Sequence, residues 1–222
     1  MQDSQSLKPY RTIRQSSETE IVIQKSRFIG RCFPVESESG AAAKLDAIRK
    51  QCWDATHNCH AFRIGADGMC VRSSDDGEPS GTAGMPILNV LTQSGLTNLL
   101  CVVTRYFGGI LLGAGGLVRA YSAAAASAVD AAGVVQMVPA TCYAVSLPYP
   151  LWATTENLFR KETQIEQTDY TEIVRVSFWI ETEKAPAFLK LLCNSTDGKV
   201  IPQVTMYALR PQDTQMLKSV GK

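Results

Sequence analysis

Three carboxylates fall within four residues, Asp75, Asp76 and Glu78, and the hydroxyls of Ser73, Ser74, Ser80 and Thr82 flank them. That set could hold a divalent cation such as Mg²⁺, or divide acid and base roles. A second cluster follows, Gly108-Gly109, Gly113 and Gly115-Gly116, with Arg105, Tyr106 and Arg119 beside it. Glycine leaves main-chain N–H groups unshielded, and a helix start after Gly116 would aim unpaired N–H groups and the positive dipole end at whatever lies above. The chemistry this suggests is phosphate binding: Gly113, Gly115 and Gly116 cradle the anion, Arg105 and Arg119 neutralise it, and Asp75, Asp76 and Glu78 hold Mg²⁺. Two features oppose an enzyme: no Gly-Lys-Ser/Thr phosphate loop is present, and no lysine lies between Ser73 and Ser122. The competing reading is that the glycines let an alanine-rich helix pack closely on a sheet.

The elements that must position these groups are legible around them. Leu99–Thr104 (LLCVVT) is a continuous apolar, β-branched run, the pattern of a strand buried on both faces. It separates the acidic loop from the glycine loop. Ahead of it, residues 7–35 read as an antiparallel strand pair broken at Gln24–Ser26. Ser37–Gly40 caps a helix over Ala41–Trp53, whose Ala41, Leu45, Ile48 and Cys52 share one face. His57 and His60, the only histidines, lie three apart, so a strand sends them to opposite faces. They are expected to bind no metal, and one of them to satisfy a buried backbone group. After the central strand, Leu117–Ala132 is a strong helix former ended by Gly133, with an alanine face that should approach the sheet closely. Val134–Pro139 is expected to be a linker.

From Ala140 the order of patterns is strand, helix, strand, strand, helix, strand, the last over Lys199–Val204, which is the βαββαβ plan. The expected division is therefore 1–139, 140–207 and a polar tail 208–222. Charge is balanced throughout: 13 Lys+Arg against 12 Asp+Glu in residues 1–139, and nine of each in 140–222. Neither part is a basic nucleic-acid domain, so any RNA contact should be local and shallow in its salt dependence. No apolar stretch reaches the ~20 residues of a membrane span. The N-terminus lacks the apolar core of a signal peptide, so the protein is expected to be cytoplasmic, with no membrane association. Seven scattered cysteines without a Cys-x-x-Cys pair argue against disulfides and structural zinc.

Several long runs closely resemble the IMPACT/YigZ family, its bacterial branch in particular. They are Ser26-Arg27-Phe28-Ile29-Gly30, Asp54-Ala55-Thr56-His57, Ser74 through Gly84 with Pro86, Val103 through Gly109, and Leu112 through Tyr121. The resemblance spans roughly residues 7 to 205. It implies an α+β protein of two domains. The first is an α/β domain with a left-handed βαβ unit, similar to the second domain of a small-subunit ribosomal protein and to the first domain of GHMP kinases. The second is a ferredoxin-like domain similar to the last domain of elongation factor G. Eukaryotic members bind the activator of a starvation-responsive initiation-factor kinase and restrain that kinase. What the resemblance carries to this chain is therefore a non-enzymatic role in translation without a cofactor, with RNA, the ribosome or a translation-regulator protein as partner. Asp75, Asp76, Glu78, Arg105, Tyr106, Gly108, Gly109, Gly113, Gly115, Gly116 and Arg119 are the candidate binding residues. With three carboxylates, three glycines and almost no large apolar side chain, Ser73–Gly84 has too little to bury, and about Ser74–Thr82 is expected to lack order until a ligand binds. Asp75→Ala combined with Asp76→Ala is then expected to change stability by no more than about 0.5 kcal/mol.

Overall fold

The computed structural model describes residues 7–212. These divide into two compact units, one of Tyr10–Gln136 and one of 137–212 with 7–9. Both are mixtures of helices with antiparallel sheet.

In the first unit, β1 (Tyr10–Ile13) is followed by β2 (Ser17–Ile23) and β3 (Ser26–Pro34), which pair antiparallel as the sequence pattern predicts. Gln24 and Lys25 make the turn, both at positive φ. Helix α1 (Glu38–Gln51) starts at Ser37, whose hydroxyl accepts the Gly40 N–H at 3.1 Å, and it buries Ala41, Leu45 and Ile48. Strands β4 (His57–Ile64) and β5 (Cys70–Ser74) form a second antiparallel pair. Helix α2 (Gly84–Gln93) and the central strand β6 (Leu99–Tyr106) follow, then α3 (Gly113–Ala132). The sheet order is β2-β3-β6-β4-β5. Both β3 and β4 are antiparallel to β6, so they are parallel to each other, joined through α1 with β6 between them. Seven of the eight β6 residues are buried, which accounts for an apolar run with no alternation.

The sheet has a core on each side. One gathers Phe28, Ala61, Ile87, Leu91, Cys101, Val103 and the buried face of α3. The other lies under α1, with Leu45, Ile48, Phe62, Leu100 and Val102. A methyl group added at Gly30 on β3 would sit 2.5 Å from the Ala124 carbonyl oxygen, and Ala128 Cβ is 3.1 Å away. The alanine face of α3 therefore lies against bare backbone, the close approach its composition predicts.

In the second unit, β7 (Val134–Leu147), α4 (Tyr149–Glu162), β8 (Gln164–Tyr170), β9 (Val174–Glu181), α5 (Ala185–Ser195) and β10 (Gln203–Pro211) follow in order. The pairing β10-β7-β9-β8 is antiparallel at every step. Phe159, Phe178 and Phe188 pack edge to face between sheet and helices, with Trp152 and Leu192 around them.

Several sequence expectations need correction. The supposed linker Val134–Pro139 is the first part of β7, because its β-branched run extends a strand rather than interrupting one. The last strand is not Lys199–Val204 but Gln203–Pro211, so residues 208–211 of the expected tail pair with β7, while 213–222 lie outside the described residues. Helix α3 begins at Gly113, not after Gly116, because its first turn accommodates three glycines. Helix α2 was not foreseen; Pro86 lies in its first turn, where proline is tolerated because the N–H it lacks would have no partner within the helix.

Candidate functional site

Strand β5 runs out into Asp75, and the chain reverses through Asp76 and Gly77, both in the left-handed region at φ 44° and 88°. The Glu78 N–H donates to the Asp75 carbonyl at 2.9 Å and closes the turn. The Asp75 carboxylate then accepts three backbone N–H groups: Gly81 at 2.9 Å, Ala83 at 3.0 Å and Gly84 at 2.8 Å. Ala83, the residue before α2, has no side chain able to cap that helix, so Asp75 caps it from a distance. Burial alone would raise the Asp75 pKa, but the three donors outweigh it and hold the pKa below its ordinary value.

Asp76 is engaged as fully. Its carboxylate accepts the Asn58 N–H at 2.7 Å and Arg49 Nη2 at 3.1 Å, and its carbonyl lies 2.8 Å from His57 Nδ1. His57 thus serves a backbone group, as one histidine was expected to. His60 sits 3.5 Å from the Asn58 carbonyl oxygen, and burial lowers its pKa. Cys59 donates its thiol to the Asp75 carbonyl at 2.9 Å, and burial pushes that thiol up to about 12, so it stays protonated.

Glu78 is the buried centre of the network, at 8% exposure. Arg105 Nη1 approaches it at 2.7 Å, the Tyr121 hydroxyl donates at 2.8 Å, and His57 Nε2 is 3.8 Å away. Burial first, then Cys59 and Glu78, raise the Tyr121 pKa far above its ordinary value, so the phenol remains a donor. Arg105 is itself buried, with its guanidinium carbon 5.4 Å from the Phe28 and Phe107 ring centres and Nη2 3.3 Å from Ser26 Oγ.

These contacts overturn the expectation of an unordered, solvent-facing acidic loop. Composition alone missed it because charged groups can order a segment through hydrogen bonds where apolar burial cannot. They also occupy the groups required for a Mg²⁺-phosphate site. Asp75 is turned to backbone donors, Glu78 to Arg105, and Arg105 to Glu78. Among the described residues no cluster of three or more His, Cys, Asp or Glu side chains is placed to hold a metal ion.

The glycine segment is built differently. Tyr106 ends β6 with its hydroxyl 3.2 Å from Asp54 Oδ1 and Arg27 over its ring at 5.4 Å. Burial, then Cys52 and Asp54, push that phenol up to about 12. The Phe107 N–H donates to Thr56 Oγ1 at 3.1 Å and the Gly108 N–H to Ser26 Oγ at 3.2 Å. A side chain at Gly108 would land on the Lys25 carbonyl, so this position accepts only glycine. Beyond it the chain leaves the body of the unit. Gly109 at φ 81° and Gly113 at φ 69° have nothing near a notional Cβ, and Gly115 has only Arg119 Nη1, at 3.8 Å. Gly116 packs on Leu112. Phe107 (46%), Ile110 (41%) and Leu111 (85%) are exposed, as is Arg119 on the second turn of α3. Sequence reasoning named the glycines and passed over Ile110 and Leu111. Three apolar residues in a row between glycines, Ile110-Leu111-Leu112, with Phe107 ahead of Gly108-Gly109, were the available signal.

Residues 24–129 match the Impact N-terminal domain family. Over 87% of this chain and 89% of the relative, the sequence is 40% identical to the IMPACT family member YvyE of Bacillus subtilis (strain 168). Protein IMPACT of Oryctolagus cuniculus is 40% identical over 98 residues, 42% of this chain and 30% of that protein. A crystal structure described as that of a hypothetical protein matches with a TM-score of 0.58 at 31% identity, covering 90% of this chain and 98% of that one.

Proposed function

The chain belongs to the IMPACT family, and from that premise we propose that it is a non-enzymatic accessory or regulatory protein of translation. Its partner in this reading is RNA, the ribosome or a ribosome-associated protein, met in the cytoplasm. The likeness to eukaryotic IMPACT proteins supports a regulatory role in translation. The proposal assigns the first unit, Tyr10–Gln136, as the IMPACT-type domain and the second as a ferredoxin-like domain of the kind that closes elongation factor G.

One observation carries the reading. The polar groups that could do chemistry are spent on each other, while the neighbouring loop presents Phe107, Ile110, Leu111 and Arg119 to solvent. A catalytic site keeps its carboxylates available; a binding surface offers apolar groups beside a cation. A phosphate-ligand enzyme with Mg²⁺ would have to dismantle the Glu78–Arg105 pair first.

Co-sedimentation with ribosomes at low salt tests the proposal. The expected result is ribosome or RNA retention that falls gradually with salt and is lost in Leu111→Ser combined with Arg119→Glu. Absence from every ribosomal fraction, with no RNA retained, would remove it. A melting temperature raised by one nucleotide with Mg²⁺ would instead favour the enzyme.

A further inference from the structure

The sheet of the second unit has one face covered by α4 and α5 and one that is not. Val174, Val176, Phe178 and Ile180 of β9 face the helices, so Arg175, Ser177, Trp179 and Glu181 face the other way. Trp179 is nevertheless only 4% exposed, resting against Ala140 and Cys142. Much of its cover is Arg210 from the edge strand β10, whose guanidinium carbon stands 4.7 Å from the ring centre. Arg210 Nη2 continues to Gln164 Oε1 on β8, the opposite edge, at 3.1 Å. The side chain is thus fixed at both ends across the two inner strands.

Beside it lies a cavity of about 90 Å³ bordered by Trp179, Arg210, Gln164, Glu162, Glu181 and Lys184. Two buried donors in this group, Trp179 Nε1 and Arg210 Nε, have no hydrogen-bond acceptor among the described residues. Buried N–H groups are nearly always paired, and both orphans are donors, so what is missing is an acceptor. The charges along the border cancel, Glu162 and Glu181 against Lys184 and Arg210, and Lys184 is already held by Glu181 at 2.8 Å. An anion would sit beside two carboxylates, which disfavours phosphate or carboxylate as the guest. Glu162 makes no ion pair among the described residues and can accept an N–H.

We propose that this cavity binds the lactam edge of a nucleobase, the adjacent C=O and N–H that uracil and guanine carry and adenine lacks. The carbonyl accepts from Trp179 Nε1 and Arg210 Nε, and the ring N–H donates to Glu162. The volume, several times that of one water position, suits a small planar group, and because both N–H groups are buried, Arg210 must release Gln164 and lift from the Trp179 ring for the carbonyl to reach them. The base belongs either to a free nucleoside or to single-stranded RNA, and in the second case the inference rests on the RNA-binding branch of the proposed function.

The test follows the indole N–H resonances of the ¹⁵N-labelled full chain, which has three tryptophans. Trp179→Phe identifies the relevant signal and keeps a ring under Arg210. Uridine or guanosine should shift that signal and adenosine should not. Trp179→Phe should bind at least about tenfold more weakly, as expected for loss of one buried hydrogen bond, with its melting temperature retained. Oligouridylate binding at least about tenfold tighter than uridine identifies RNA as the source, and equal affinities identify the nucleoside. No movement of the Trp179 signal with any of these at millimolar concentration, or an equal response to adenosine, would overturn the inference. Ribosome co-sedimentation of the unsubstituted chain alongside an unresponsive Trp179 indole would overturn it while leaving the proposed function in place.

Discussion

The acidic loop and the glycine loop lie in one unit and look equally functional as sequence, yet the structure gives them opposite work. In the first, every carboxylate has found a partner: Asp75 three backbone donors, Asp76 Asn58 and Arg49, Glu78 Arg105 and Tyr121. In the second, hydrogen bonds stop at Gly108, and the next residues turn Ile110 and Leu111 outward. The difference teaches that polarity does not mark the exposed, unengaged surface here. The polar loop is the clasp, and the apolar loop is what the clasp presents.

The largest expected effect breaks the clasp at its buried ion. Glu78→Ala leaves Arg105 charged and uncompensated at 5% exposure, and should destabilise by about 3–5 kcal/mol in urea unfolding. A loss under about 1 kcal/mol would mean that the network is ornamental. Next, Asp75→Ala frees three backbone donors and the cap of α2, and should lower stability by about 1–3 kcal/mol. This replaces the near-neutral effect that sequence alone led us to expect for Asp75→Ala with Asp76→Ala. The same carboxylate has a pH signature. Its folded pKa is below its unfolded value of about 3.9, so its contribution is complete above that value and is lost as pH falls through the folded pKa. The stability difference between wild type and Asp75→Asn should therefore be flat from neutral pH to about pH 5 and shrink in more acid solution.

Gly108→Ala should act at the join of the two loops, since its methyl group meets Lys25 backbone. A loss of about 1–3 kcal/mol in thermal melting is expected, by displacing the loop rather than by opening the core. The smallest effect on stability belongs to Leu111→Ser with Arg119→Glu, within about 0.5 kcal/mol because both side chains are exposed. If that pair unfolds the protein while Glu78→Ala does not, clasp and surface have been assigned the wrong way round.

What the sequence disclosed follows from how local each signal is. The β6 run, the α1 face of Ala41, Leu45 and Ile48, and the Gly133 stop of α3 depend on neighbouring residues, and all were readable. The close approach of α3 was readable too, from its alanines. The fate of Glu78 depends on Arg105 and Tyr121, 27 and 43 residues away in the chain, and nothing in its own neighbourhood announces that it is buried. Likewise β10 was placed too early, because its pairing with β7 is set by register across the sheet rather than by its own exposed side chains.

The contact between Gly30 and the alanines of α3 bears on the kinetics of binding. Alanine has no rotamers to redistribute and glycine has no side chain, so this joint has nothing that can loosen in steps. The helix whose first turn ends the glycine loop is therefore mounted on a stiff seat, and under the proposed function the loop would meet a partner with that end already held. A partner should then associate without a slow rearrangement phase, and weakening Leu111 should show itself mainly as faster release.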